Sequence, residues 1–128
     1  METIALGPHQ TLTIVSSSPE ALEIDARWDP GAHPPPAHLH PRQEEHFEVL
    51  EGELTVTLDG ETRVLRAGDS LDVPSGAAHA MWNASEAPAR ATWRVTPALN
   101  THEMFRTIGS GGAADFLERF AGEFRLAT

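Results

Sequence analysis

Cysteine, lysine and tyrosine are missing from the 128 residues, and each absence removes a branch of chemistry. Without cysteine there is no disulfide and no thiol nucleophile; without lysine, no Schiff base; without tyrosine, no phenolic general acid. Long apolar runs are missing too: nothing is long enough to cross a bilayer, and the N-terminus shows no basic, apolar leader. The expectation is a soluble, cytoplasmic chain with no membrane partner. Positive charge is scarce. Nine basic residues, all arginine, stand against nineteen acidic ones, for a formal charge of −10. Such a surface repels phosphate backbones, so nucleic acid is not expected as a partner. Nor does any segment before Gly31 have the helical periodicity for a DNA-reading helix pair. The length suits one domain around a single core.

What is present concentrates in two stretches. Gly68 to Asn83, GDSLDVPSGAAHAMWN, opens with a tight turn at Gly68-Asp69 and a short strand from Ser70 to Val73. Pro74-Ser-Gly76 makes a second turn, in which Gly76 can take a positive φ. On the strand that His79 opens, alternation places His79, Met81 and Asn83 on one face and Ala80 and Trp82 on the other. Upstream, Ala37 to Gly52 reads AHLHPRQEEHFEVLEG, and His38 and His40 share a strand face because they lie two residues apart. Three imidazoles and a carboxylate can then converge. Glu45 lies an odd number of residues from His40 and would point away on an unbroken strand. Pro41 to Glu44 must supply a turn or bulge that returns Glu45 to the face of His38 and His40, with Phe47 and Val49 behind it.

At this spacing the chain resembles the cupins, in their small single-domain form. The family's first pattern, glycine, about five residues, His-x-His, three or four residues, glutamate, six residues and glycine, falls on Gly31, His38, His40, Glu45 and Gly52. Its second, glycine, five residues, Pro-x-Gly, two residues, histidine, three residues and asparagine, falls on Gly68, Pro74, Gly76, His79 and Asn83. The first pattern departs in one place: six residues, including Pro34-Pro-Pro36, separate Gly31 from His38. Glu44 competes with Glu45, but six residues lie between Glu45 and Gly52, as the family pattern requires, against seven for Glu44. Glu44 therefore reads as a solvated carboxylate. The resemblance implies an all-β fold, a small double-stranded β-helix or jelly-roll barrel, with His38, His40, Glu45 and His79 as metal ligands inside it. Sugar epimerases of this superfamily pair a histidine with a tyrosine acid, which this chain lacks.

The remaining chain fits around that barrel, which is expected to span residues 1–98. Strands are expected at Thr3 to Leu6, Thr11 to Ser16 and Ala21 to Trp28, the last with Leu22, Ile24, Ala26 and Trp28 on its buried face. Pro30 to Pro36 reads as a rigid loop. His33 within it is a fifth ligand, a gate residue or, as preferred, a solvated loop histidine; His9, His46 and His102 take the solvated reading. Leu54, Val56 and Leu58 alternate with polar residues up to the hairpin signal Asp59-Gly60, and Glu61 to Arg66 returns. Gly68-Asp-Ser-Leu71 spells the tetrapeptide of an esterase and lipase family, but no partner Asp-x-x-His follows, and Ser70 reads as a turn residue. Pro88 to Val95 is a strand whose Trp93 serves either the core or an aromatic substrate, while Arg94 faces away.

Residues 99–128 are expected to form a helical tail. Asn100 and Glu103 suggest a capping box for a helix that stops at Gly109, and Ser110-Gly-Gly112 a hinge. From Ala113 a second helix is expected, with Phe116, Leu117, Phe120 and Phe124 in one stripe and Asp115, Glu118, Arg119 and Glu123 in water. The stripe must pack on its own barrel or on a second subunit, and the family's habit of pairing barrels makes a homodimer the expectation.

Three imidazoles and a carboxylate suit one divalent transition metal ion, Fe, Mn, Ni, Cu, Co or Zn, without choosing among them. An octahedral ion would keep two positions open, and the absence of thiolate argues against a closed structural zinc site. The expected activity is metal-dependent dioxygenation of a small enolic or aromatic molecule, with Glu45 as ligand and base. Phe47, Val49, Met81 and Trp93 are the candidate substrate-pocket residues. The alternatives are a metal-dependent isomerase or decarboxylase and a non-catalytic small-molecule binding or sensing module.

Overall fold

Period-two alternation of apolar residues builds most of the molecule. The structure is a computed structural model that describes residues 1–127; Thr128, the last residue of the expected tail, lies outside them. In chain order the strands are β1 (Thr3–Ala5), β2 (Gln10–Ser17), β3 (Leu22–Trp28), β4 (His38–Leu39), β5 (Glu44–Glu51), β6 (Glu53–Leu58), β7 (Glu61–Arg66), β8 (Ser70–Val73), β9 (His79–Trp82) and β10 (Ala89–Thr96). Two short helices, α1 (Thr101–Gly109) and α2 (Phe116–Arg119), and a last strand, β11 (Arg125–Leu126), follow. One antiparallel sheet runs β1-β2-β3-β10-β5-β8 and the other β11-β4-β9-β6-β7. They face each other as a small jelly-roll barrel, the all-β architecture expected.

The alternation on β3 places Leu22, Ile24, Ala26 and Trp28 inside, where they meet Leu12, Leu54, Val56, Val73 and Val95 from both sheets. Each fully buried aliphatic side chain of this set contributes about 1.5–3 kcal/mol of transfer free energy. Asp59 and Gly60 both take positive φ, 50° and 83°, which is the hairpin conformation that matches strand twist between β6 and β7. Gly52 turns the chain from β5, in one sheet, into β6, in the other. Its φ is +72°, and a Cβ there would run into the backbone carbonyl oxygen of Pro88. Gly52→Ala is therefore expected to lower stability by about 2–3 kcal/mol, read as a shift in the urea midpoint with unchanged slope.

The C-terminal region differs from its expectation in three ways. Asn100 stands at the start of α1 but makes no side-chain capping bond, so the expected capping box is not closed. The second helix is a single turn, Phe116–Arg119, because Gly122 and the pairing of β11 with β4 draw the chain into extended structure. Phe124 consequently lies beyond the helix, and Glu123, expected in water, is 5% exposed. The aromatic stripe is covered within the chain: Phe120 is buried, and Phe116, Phe120 and Phe124 pack together. Leu117 alone of the four points outward.

Helix α1 is tied to the N-terminus by charge. Glu2 accepts hydrogen bonds from Arg106 at 2.7 and 2.9 Å and lies 2.7 Å from Nε2 of His102, whose Nδ1 meets the Ser17 hydroxyl. His102 is thus a half-buried bridging residue rather than a solvated one. The Arg106 bonds, then His102, pull the Glu2 carboxyl from an ordinary 4.5 to about 2. A folded-state pKa below the unfolded one gives stability that is complete above about 4.5 and lost as pH falls towards 2. Glu2→Gln is expected to flatten that part of the pH–stability curve in acid denaturation, with its loss of stability, modest for an exposed ion pair, present at pH 7 and vanishing as pH falls towards 2.

Candidate metal centre

His38 and His79 are directly paired across β4 and β9, with ring centroids 4.4 Å apart. His40 follows two residues after His38, where the chain leaves the sheet, and the turn that Gly76 makes holds it there: the Gly76 N–H donates to the His40 carbonyl at 2.9 Å. Gly76 has the positive φ expected of it, 79°. One ring nitrogen from each of His38, His40 and His79 falls within 4.8 Å of the others. The sequence thus brings together the three imidazoles it promised.

Glu45 reaches them from the opposite sheet. Pro41 and Arg42 form the expected turn, but its effect is larger than a bulge: the chain crosses from β4 in one sheet to β5 in the other. Glu45, cross-strand from Val73 on β8 and Val95 on β10, points across the barrel interior. Its Oε1 lies 3.0 Å from His40 Nε2 and 2.9 Å from His79 Nε2. Its Oε2 accepts a 2.6 Å hydrogen bond from Trp93 Nε1, which fixes the plane of the carboxylate. Glu44, the competing carboxylate, is exposed, as the spacing argued.

Two of the imidazoles are also held from behind. His40 Nδ1 meets the backbone carbonyl of Glu123 at 2.7 Å, and His79 Nδ1 that of Ala77 at 3.0 Å. A ring whose Nδ1 is engaged by a carbonyl presents Nε2 as a lone-pair donor in a set direction, the usual arrangement behind a metal-binding histidine. Burial, aided by His79 and His40, pushes the His38 imidazole down to about 4, so it is neutral at pH 7. Burial also opposes charge on His40, but the Glu45 carboxylate and the Glu123 carbonyl outweigh it and raise its pKa. Glu45 is fully buried, which disfavours its charge; His40 and His79 overcome this and hold its carboxyl well below the usual range.

The donor set fits a divalent transition ion. His40 Nε2 and Glu45 Oε1 are buried, face one another and have no hydrogen-bond partner of acceptable geometry. Buried polar atoms left unsatisfied cost about 1–3 kcal/mol each, so a pair of them aimed at one point marks a place for a ligand. Imidazole and carboxylate donors without thiolate suit Fe, Mn, Ni, Cu, Co or Zn alike.

Around the cluster lies a cavity of about 380 Å³. Phe47, Met81 and Trp93 line it, with Phe47 and Trp93 stacked at 5.2 Å. Val49 does not: it is 2% exposed within the core, two residues further along β5. Asn83, placed on the inward face with His79, is fully buried and structural; its amide donates to the carbonyls of Trp28 and Ala87. Met104, Phe105 and Ile108 of α1 and Phe124 of the tail also line the cavity. Sequence reasoning missed these four and the Trp93–Glu45 bond. The signals that could have found the four residues are the apolar spacing of Met104, Phe105 and Ile108 and the aromatic stripe that includes Phe124, since both faces had to cover something. His33, His9 and Arg94 are exposed, and His46 faces out to Asp72 at 2.6 Å.

The family profile of the Cupin domain matches residues 25–95, which spans both histidine motifs. The chain belongs to the cupin family. Among curated proteins this cupin is 42% identical over 60 residues to Polyketide synthase CurC of Streptomyces cyaneus, a match that covers 47% of the chain and 39% of the relative. It is 43% identical over 44 residues to Quercetin 2,3-dioxygenase of Bacillus subtilis, covering 34% of the chain and 13% of that enzyme. The cupin thus spans two fifths or less of the length of these relatives. Among solved structures, KdgF from Halomonas sp. superposes with a TM-score of 0.71 at 24% identity, covering 80% of this chain and 93% of that one. That likeness concerns the fold.

Proposed function

We propose that this cupin is a metal-dependent dioxygenase acting on a small, uncharged enolic or aromatic molecule, with His38, His40, Glu45 and His79 as the metal ligands. The observation that carries the reading is the position of the donor cluster at the wall of an apolar, aromatic cavity of about 380 Å³. That volume is within the range of small-molecule sites, roughly 300–1,000 Å³. A divalent ion held by these residues would supply Lewis-acid and redox chemistry to a molecule in the cavity. The similarity to Quercetin 2,3-dioxygenase over 44 residues points the same way.

The remaining roles belong to the chain. Phe47 and Trp93 offer a stacked aromatic wall against which a planar ring can lie. Phe105, 5.3 Å from Trp93, and Met81 close its sides and keep water out. Glu45, its Oε2 held by Trp93, has its Oε1 turned towards His40 and His79, and once released from the ion it can take the proton of an enol or phenol hydroxyl. None of the nine arginines is among the residues that line the cavity, so beyond the metal ion itself a phosphate or carboxylate would find no guanidinium to pair with there.

The test is oxygen consumption by iron-, nickel-, copper- and manganese-loaded protein against a panel of neutral phenols, enols and diketones beside their phosphorylated and carboxylated analogues. Oxygen uptake with a neutral member, coupled one-to-one to product, is the expected result. Turnover that continues without oxygen would replace this reading with a Lewis-acid isomerase. Ligand-induced stabilisation without any product would replace it with a binding module.

A further inference from the structure

The last described residues of the chain touch the histidine cluster at three independent points. Glu123 presents its backbone carbonyl to His40 Nδ1 at 2.7 Å. Phe124 stacks on His38 with centroids 4.9 Å apart and planes 20° from parallel, and also meets the edge of His40. Strand β11 then pairs with β4, Arg125 opposite Leu39 and Leu126 opposite His38, and the Ala127 N–H donates to the Ala37 carbonyl at 2.9 Å. Two of the three clustered histidines are therefore held from one side by the barrel and from the other by this hook. Behind the hook, Gly111 and Gly112 both take positive φ and let the chain turn back, while buried Phe120 anchors it. Phe124 and Ile108 also form the partition between the cavity and a surface groove beside Gly7 and Gly112.

We infer that the hook Glu123–Ala127 is a positioning element of the metal site: its backbone orients His40 and its aromatic ring fixes the plane of His38. Hydrogen bonds behind metal-binding histidines set tautomer and ring direction, and their loss typically costs about 10- to 100-fold in metal affinity. The stack of Phe124 on His38 restricts the clustered histidine that opens the two-residue strand β4. A segment that served only to cover the barrel would need apolar contact alone, with neither a backbone carbonyl on the Nδ1 of one imidazole nor a ring parallel to another. The inference rests on the metal-site reading above.

The experiment titrates Co(II) into the full-length protein and into Phe124→Ala, Phe124→Leu and Ala127→Pro, with a chelator as competitor. It follows the visible ligand-field bands, with Leu117→Ala as an outward-facing control on the same tail. Phe124→Ala removes the stack, Phe124→Leu restores bulk without it, and Ala127→Pro removes the hydrogen bond to Ala37 and loosens the hook in the full chain. The expected result is an affinity loss of about 10- to 100-fold with altered bands for Phe124→Ala and Ala127→Pro. Phe124→Leu should recover thermal stability but not the parent bands, and Leu117→Ala should match the parent. Parent affinity and parent bands in both Phe124→Ala and Ala127→Pro would overturn the inference while leaving the metal site standing. A parent protein that takes up no Co(II) would overturn both.

Discussion

Replacing His79 with alanine is expected to strip the protein of its metal. The imidazole is 3% exposed, its Nδ1 is held by the Ala77 carbonyl, and its Nε2 lies 2.9 Å from Glu45 Oε1, so no other side chain can take its place. Loss of a ligand should exceed the cost of losing an outer partner, and an affinity decrease of more than about 100-fold is expected. The measurement is metal per chain by plasma emission for protein purified without chelator, repeated after dialysis against each candidate ion. Near-stoichiometric metal in the parent and background metal in His79→Ala is the expected pair of values. The same substitution deprives the buried Glu45 carboxylate of one neighbour, so the metal-free variant should also be less stable than the metal-free parent, by about 1–3 kcal/mol. Equal metal content in the two proteins would remove His79 from the ligand set.

The second large effect belongs to Gln43, which no motif singled out. Its side chain is 1% exposed, and its Nε2 lies 2.8 Å from the Pro97 carbonyl, 2.9 Å from the Ala98 carbonyl and 2.6 Å from the Thr101 hydroxyl. One amide thus joins the turn between the histidine motif and β5 to the start of α1, which walls the cavity. Gln43→Leu keeps the volume but leaves two backbone carbonyls without this donor; a cost of about 3–5 kcal/mol is expected, or of the order of 10–20 °C in melting temperature. Gln43→Glu should be worse at neutral pH, because it sets a carboxylate oxygen against two carbonyl oxygens. Thermal unfolding of both variants at pH 7 checks the order, and a loss below 1 kcal/mol for Gln43→Leu would show that water replaces the amide.

The difference between these two residues shows what can be read from a chain. His79 was legible because a turn of fixed composition, Pro74-Ser-Gly76, sets its position locally, and alternation along β9 sets its direction. Leu22 to Trp28 and the Asp59-Gly60 hairpin were legible for the same reason: period and turn chemistry act over a few residues. Gln43 and Thr101 are 58 positions apart, and nothing near either one announces the other. The tail was misread as a longer helix because the spacing of Phe116, Phe120 and Phe124 satisfies helical period, whereas pairing of β11 with β4 outweighed that local preference.

Local rules settled the strand faces, the turns and the direction of the histidine side chains, because each depends on φ, ψ and side-chain direction within a short span, whereas Glu45 was singled out by the family spacing. Packing between distant segments settled the rest. Glu45 joins the histidines only because β5 belongs to the sheet opposite β4. Trp93 becomes the carboxylate's partner because β10 lies beside β5, placing Trp93 across from Phe47. Helix α1 and Phe124 close the cavity because packing against the barrel takes the apolar faces of the tail out of water.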